Sequence, residues 1–520
     1  MEESASLALF VQDIPTEGVE PEAQPFIQTL LEFLNGLVWG ADSHVWVSGP
    51  FEFLLKFTPI LLLLLGTGLF LMIRLGGMPL LRIPYAFGQL FKKRDASKGA
   101  GDVSPFGALM TALSSTIGTG NIAGVAAAIA IGGPGAVFWM WVTAFVGTAS
   151  KYAEGVLAVQ FRETDKDGRH VGGPMYYIKN GMGKKWMWLA MTFAVFAVLA
   201  SGGTGASIQA NAIADAMNSN YGIAPYVSGI ILALGAAAVI LGGIKRIATV
   251  ASKLVPAMAL SYLAAGIIVV LMNIDAVPAA FGSIFTNAFG YDAAKGGIVG
   301  GLLLLSMQKG VARGIFSNEA GQGSAPIAHA AAKNDDPVNQ GIVAMLGTFI
   351  DTIIVCSITA LVILTAGIIA PECEPFVRES LVSLPAGCET SAPLTIQAFG
   401  ETLSWDVFGK PLGTHIVAIS LVVFGFTTIL GWSYYGERSC AFIFGEKSIF
   451  PFRISWIIVV FLGALVLMAE ETGAISDVVS LAWLLADTLT GLMAAPNLIA
   501  LLILSPLVAK MTREYFAKNR

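Results

Sequence analysis

Residues 112–135 read ALSSTIGTGNIAGVAAAIAIGGPG, and residues 309–332 read KGVARGIFSNEAGQGSAPIAHAAA. Both are apolar enough to be membrane helices, and both are interrupted. In the first, Gly118, Gly120 and Gly124 stand inside what should be a continuous helix. Each interior glycine costs about 1 kcal/mol of helix stability relative to alanine, so Gly-Thr-Gly-Asn predicts an unwound turn. In the second, Ser317-Asn318-Glu319 is followed by Gly321, Gly323 and Pro326. A proline removes a backbone donor and clashes with the preceding turn, which predicts a second break near Phe316 to Gly323. One such pattern alone is equally a packing motif, since small-residue spacings also let membrane helices approach closely.

Working outward, the whole chain is built for lipid. Of its 520 residues 55% are hydrophobic and 12% charged, with a mean hydropathy of +0.73. A soluble domain carries about 25% charged residues. The composition excludes a disordered chain, a disulfide scaffold and an ordinary water-soluble enzyme, and fits a helical membrane protein. A hydrocarbon core about 30 Å thick takes roughly 20 apolar helical residues to cross. Spans are expected near 51–74, 104–131, 135–162, 187–217, 224–243, 247–272, 297–332, 338–369, 414–440, 452–470 and 494–512. That is an all-α polytopic protein of eleven spans. Residues 474–491 are left out because Asp477 and Asp487 interrupt them.

Alternate connections are basic: Arg74 to Lys98, Arg162 to Lys185, Lys245 to Lys253, Arg438 to Arg453, and the tail from Lys510. The positive-inside rule then places the N-terminus outside and the C-terminus in the cytoplasm, which requires an odd number of spans. Residues 1–50 form an extracytoplasmic segment without a signal-peptide pattern, and 25–40 are expected as an amphipathic helix on the outer surface. The connection 370–412 also faces outward, where Cys373 and Cys388 are free to form a disulfide or remain thiols. Cys356 and Cys440 read as packing residues.

Four spans separate the two breaks. Dividing the chain into 104–272 and 297–512 gives two five-helix halves of opposite sense, each beginning with its broken helix; 51–74 precedes them as an extra helix, and 513–520 is a cytoplasmic tail. Matching interruptions in two halves point to a transporter's binding site. Freed amides at a half-helix N-terminus suit a carboxylate, and freed carbonyls suit a small cation. The combination describes a cation-coupled carrier of a zwitterion. A channel lacks a reason for the inverted halves, and an intramembrane enzyme lacks a motif: HExxH and GxSxG are absent, and His44, His170, His329 and His415 are scattered.

Six blocks carry a resemblance: TALSSTIGTGNIAGVAAAI (111–129), GGPGAVFWMWVTAFVGTASKYAEGVLAVQFR (132–162), GGPMYYIKNG (172–181), RGIFSNEAGQGSAPIAHAAA (313–332), FIDTIIVCSITALVIL (349–364) and GWSYYGERS (431–439). They resemble the alanine or glycine:cation symporter family, in family order from about Ser104 to Phe444. The resemblance implies a LeuT-type fold of two five-helix inverted repeats, with sodium driving uptake of a small neutral amino acid, alanine or glycine, across a bacterial or archaeal inner membrane. No cofactor is implied beyond Na⁺ as coupling ion; the partners are the amino acid, Na⁺ and the bilayer.

By resemblance, the backbone amides of Thr119, Gly120 and Asn121, with the Thr119 hydroxyl, receive the substrate carboxylate. Gln209, amid small residues, is a substrate contact in the family; its amide both donates and accepts, and an interhelical hydrogen bond is the alternative. The carbonyls of Phe316, Ser317 and Asn318 would hold the ammonium. Trp432 would cap the pocket, unless it belongs to the interfacial aromatic belt. Thr427 and Thr428 are candidate sodium ligands, since Na⁺ is a hard cation that prefers oxygen donors; the family's fold adds the carbonyls of Ser114, Ile117 and Phe424. The alternative is that both hydroxyls bond back to their own helix. Asp351, Glu319 and Arg313 are ionisable groups inside the membrane. Asp351 or Glu319 would be the coupling carboxylate of a proton-coupled or exchange-type carrier on the same fold, for a neutral amino acid such as glutamine. Arg313 with Glu319 is the structural alternative, and Lys151 with Glu154 reads as a solvated ion pair at the cytoplasmic end.

Overall fold

Ser104 opens the first broken helix: its hydroxyl accepts the Gly107 N–H at 3.0 Å, and Pro105 fills the first helical position where no donor is needed. Asp336 repeats the device ahead of Pro337, accepting from Val338 N at 2.9 Å and Asn339 N at 3.1 Å. The computed structural model describes residues 26–39, 59–91, 99–289, 299–369, 390–471 and 476–518. Their regular structure is helical apart from two short antiparallel hairpins, Glu163–Thr164 with His170–Val171 and Asp406–Val407 with Lys410–Pro411.

The main helices are α1 (Phe26–Trp39), α2 (Pro59–Arg74), α3 (Pro105–Thr116), α4 (Ala123–Gly132), α5 (Gly135–Gln160), α6 (Met187–Ala200), α7 (Ile208–Tyr221), α8 (Pro225–Ile240), α9 (Gly243–Met272), α10 (Val277–Ala288), α11 (Val299–Asn318), α12 (Ala325–Ala330), α13 (Pro337–Ala344), α14 (Ser357–Thr365), α15 (Ser391–Thr402), α16 (Leu412–Phe444), α17 (Ile449–Glu471) and α18 (Ser476–Lys518). Six helical stretches among the described residues are long and apolar enough to cross a membrane. Both expected interruptions are present. α3 and α4 are separated by a single 3₁₀ turn at Thr119–Asn121, and α11 and α12 by residues 319–324. Three stretches among the described residues are π-helical: Ile178–Met182 ahead of α6, Ser201–Ser207 between α6 and α7, and Phe349–Cys356 between α13 and α14.

Lipid gives no hydrophobic drive to helix association, so close backbone approach and polar contacts hold the bundle. α5 shows this best. A Cβ on Gly147 would lie 2.8 Å from Ala320 Cβ, and one on Gly155 would lie 2.6 Å from Ala344 Cβ. The same face carries Lys151, one turn from each glycine, so the lysine is driven into the bundle.

Three stretches gain detail from the structure. Residues 476–491 are helical and continuous with the last span, so α18 runs 43 residues. The two aspartates do not end it, because no glycine or proline interrupts the run before Gly491 and Asp487 faces a cavity. Residues 26–39 do form a helix, but α1 packs on α18: Asn35 Nδ2 donates to Thr488 Oγ1 at 3.1 Å and Trp39 Nε1 to the Asp487 carbonyl at 3.0 Å. The 370–412 connection folds partly back on the first break, with Thr395 Oγ1 of α15 donating to the Ile122 carbonyl at 3.1 Å. Cys373 and Cys388 lie outside the described residues.

The end of the bundle that carries the basic connections is tied shut. Arg162 donates to four carbonyls, those of Ala330, Ala332, Ala100 and Asn334, at 2.7–3.2 Å. Val103 bridges Ala332, and Asp102 accepts the His170 N–H at 2.7 Å. Arg438 lies 3.6 Å from Asp165 and 2.7 Å from Glu437, which also holds Arg453 at 2.6 Å. In the adjoining hairpin, partial burial raises the Glu163 carboxyl, but its hydrogen bonds from Lys179 and Asn180 outweigh this and leave it below the usual carboxylate range.

Candidate functional site

The first break begins where Ile117 leaves the helix with ψ 91°. The Gly118 N–H, which would close the next turn on the Ser114 carbonyl, donates instead to Asn121 Oδ1 at 2.9 Å. Asn121 in turn donates to Asp351 Oδ1 at 2.6 Å. Phe316 to Asn318, expected inside the second break, form the last turn of α11 just before it; from there Ser317 Oγ donates to Asp351 Oδ2 at 2.8 Å, and Thr352 Oγ1 donates to the same oxygen at 2.9 Å. One fully buried carboxylate therefore collects three donors and clamps both breaks together. An ionised carboxylate, which only accepts, is the matching partner for that set. Asn318 braces the second break, accepting from Ala320 N at 2.9 Å and donating to Thr352 Oγ1 at 3.1 Å.

Between the breaks lies a small pocket of about 20 Å³, room for about one water. Of the expected residues, Gly120, Gln209, Phe316, Ser317, Thr428 and Trp432 line it. Thr119 stands beside it, donating to Gln209 Oε1 at 3.0 Å, while Gln209 Nε2 donates to the Thr204 carbonyl at 3.3 Å. Asn121 and Asn318 do not line it; their amides are spent on bracing. Ser115, Thr116, Gly118, Thr204, Glu319, Gln322 and Thr490 complete the wall. Thr204 lies in the π-helical SGGTGAS run, whose density of small polar residues is visible in the sequence. Thr490 lies in the stretch left out of the span count.

On the far side of Gly120 and Phe316, which border both spaces, a cavity of about 570 Å³ runs past Thr119, Asn211 and Pro393 to the exposed residues Asp215 and Ser219. It therefore reaches solvent at the end opposite the basic connections. Phe316 is the partition. Its ring stands 6.4 Å from that of Trp39, and the Arg313 guanidinium lies 5.9 Å from its centroid. Arg313 faces the larger cavity with Asp487, so the Arg313–Glu319 pairing is not formed: the break turns the two to opposite sides of Phe316.

On α16 the hydroxyls of Thr427 and Thr428 each donate to the Phe424 carbonyl at 3.0 Å. The back-bonding alternative is thus present, and it gathers three oxygens at one spot. The first break touches that spot, since a Cβ on Gly118 would lie 2.5 Å from Thr428 Oγ1. Ser114 in the last turn of α3 and Ile117 just after it carry carbonyls where helical partners run out. Trp432 is buried, which removes it from an aromatic belt; its Nε1 donates to Glu319 Oε1 at 3.0 Å.

The pair Lys151 and Glu154 is also corrected. Both are buried, at 2% and 1% exposure, and no ion pair joins them. Glu154 Oε1 accepts from Gly323 N at 3.1 Å and Asn497 Nδ2 at 2.7 Å, so it staples the second break to α18. The spacing put both residues on one face of α5, and that face turns inward.

The chain matches the sodium:alanine symporter family over residues 43–520. It is 46% identical over 487 residues to a sodium/alanine symporter of Methanococcus maripaludis, covering 93% of this chain and 98% of that one. Among solved structures it resembles the manganese transporter of Eremococcus coleocola, with a TM-score of 0.51 at 12% identity over 81% of this chain and 89% of that one. It also resembles MhsT bound to L-phenylalanine, with a TM-score of 0.50 at 12% identity over 79% and 98%. These structural likenesses speak for a shared LeuT-type fold alone.

Proposed function

Because the chain belongs to the sodium:alanine symporter family, we propose that it couples inward sodium flow to import of a small neutral amino acid, alanine or glycine, by alternating access. In this reading eleven spans cross the inner membrane, one extra helix followed by two inverted repeats of five. The N-terminus is outside and the C-terminus cytoplasmic, as the basic connections require. The large cavity is then the outer vestibule, and the ties at the basic end are the closed cytoplasmic side.

The observation that carries the reading is the pocket itself. It lies at the meeting of two broken helices, with a donor-and-acceptor amide (Gln209), a hydroxyl shared with the three-oxygen cluster (Thr428) and an indole cap (Trp432) on its wall. The freed amides around Thr119 to Asn121 receive the carboxylate, and carbonyls of Phe316 to Asn318 the ammonium. Sodium sits between Ser114, Ile117, Phe424, Thr427 and Thr428, close enough to the first break to steady it. Substrate and ion thus share one segment of backbone, which makes each strengthen the other's binding.

The test is uptake of labelled alanine into proteoliposomes under an imposed gradient of sodium, potassium or protons, with glycine and glutamine as competitors. Accumulation with sodium alone, competed by glycine, supports the reading. Accumulation with protons alone assigns coupling to Asp351 or Glu319 instead, and accumulation under none of the three gradients, from folded protein, overturns transport of alanine.

A further inference from the structure

Glu319 is the residue at the second break whose role the transport reading leaves open. It is buried, and its backbone sits at φ 54°, in the left-handed region that non-glycine residues rarely enter. Such a conformation persists where surrounding contacts over-determine it, and here both carboxylate oxygens are engaged. Oε1 accepts from Trp432 Nε1 at 3.0 Å, and Oε2 accepts from Ser324 Oγ. The carboxylate therefore spans from the second break to α16, and both it and the indole line the pocket. Lys151, buried and without a hydrogen-bond partner among the described residues, lies within electrostatic reach of Glu319.

The other restraints on the indole are apolar. Its edge packs on Gly205 of the π-helical turn, where an added Cβ would lie 2.6 Å from Trp432 Cγ, and its ring meets Tyr435 edge-on at 5.7 Å. The ring is thus confined on its flanks, while its tilt into the pocket is set at the one polar atom, Nε1. A buried indole N–H needs a partner.

We propose that Glu319 is a specificity-determining positioning residue: through its hydrogen bond to Trp432 it holds the indole as a fixed wall and so limits the pocket to the smallest amino acids. Glu319 acts on the substrate's side chain through the indole, and it resets the size limit when that bond is lost. The proposal rests on the transport reading above.

The experiment measures sodium-driven alanine uptake by the full chain in proteoliposomes, with glycine, leucine and glutamine as competitors. Glu319→Leu, of similar size but without an acceptor, is expected to raise competition by leucine or glutamine relative to alanine about tenfold, the range a pocket wall controls. Glu319→Gln keeps an acceptor oxygen and is expected to restore the wild-type preference to within about threefold. In a Trp432→Phe background, where the N–H is gone, Glu319→Leu should add no further change. Unchanged preference in Glu319→Leu, or an additive change in the double variant, overturns the proposal. Where Glu319→Leu does not fold, Glu319→Ala, which also lacks an acceptor and leaves the indole intact, takes its place: loosened selectivity supports the proposal and preserved selectivity overturns it. Absence of sodium-driven uptake by the wild-type chain would instead sink the transport reading, so the two failures are told apart.

Discussion

Replacing Gly118 by alanine isolates the contact between the first break and the cation cluster. The backbone there is extended, at φ −133° and ψ −159°, which any residue adopts, so the change carries no backbone penalty. Its whole cost is the new Cβ, which would sit 2.5 Å from Thr428 Oγ1, with Thr428 Cβ at 3.5 Å and Gln209 Oε1 at 3.6 Å. Contact at 2.5 Å is too close for carbon and oxygen, and the hydroxyl is the movable partner. Turning it away removes one of the three oxygens gathered at Phe424. Overpacking of this kind costs about 1–3 kcal/mol, and the strain falls on the sodium-bound state. That corresponds to roughly a 5- to 150-fold rise in the sodium concentration for half-maximal uptake. The assay is alanine uptake against sodium at saturating alanine, alongside a sodium titration of thermal stability in detergent. Gly118→Ala with Thr428→Ser should recover part of the loss, since a serine hydroxyl turns more freely. An unchanged sodium requirement in folded Gly118→Ala refutes the placement of the ion.

Other expected outcomes follow from single contacts. Gln209→Ala removes the acceptor for Thr119 and the donor to Thr204; half-saturating alanine should rise about tenfold, the loss of one good hydrogen bond, and an unchanged value would remove Gln209 from the site. Asp351→Asn points an amide donor at Asn121, Ser317 or Thr352; leaving a buried donor unpaired costs about 1–3 kcal/mol, to be read as a lower melting temperature in detergent and lost uptake. Arg162→Lys cannot span four carbonyls, so a cysteine placed at the buried Ala332 should react faster with an impermeant maleimide from the basic side; equal rates would mean the seal lies elsewhere. Lys179→Met removes the ammonium from Glu163, whose carboxyl is held low in the folded chain, and leaves it the Asn180 hydrogen bond alone. Its stabilisation is present above the unfolded value of about 4.3 and fades as pH falls through the lower folded value, so the variant should melt below wild type at neutral pH and converge with it in acid.

What the sequence determined by itself was where helices form and where they fail. Gly118, Gly120 and Pro326 announce the breaks because propensity is local: a glycine or proline penalises a helix whatever packs beside it. Composition announced the membrane, and the hydroxyls, glycines and amide of the pocket were legible as polar atoms stranded in apolar runs. Tertiary structure alone decided which of those polar atoms meet. Asn121 and Asp351 are separated by 230 positions, and Glu319 and Trp432 by 113, distances over which no periodicity reports. Helical spacing placed Lys151 and Glu154 on one face without saying that the face turns inward. Thr490 was hidden for a related reason: the charge of Asp487 reads as a surface residue until the fold supplies a cavity for it to face. Sequence sets the cost of each local conformation; packing sets the partner that makes the cost worth bearing.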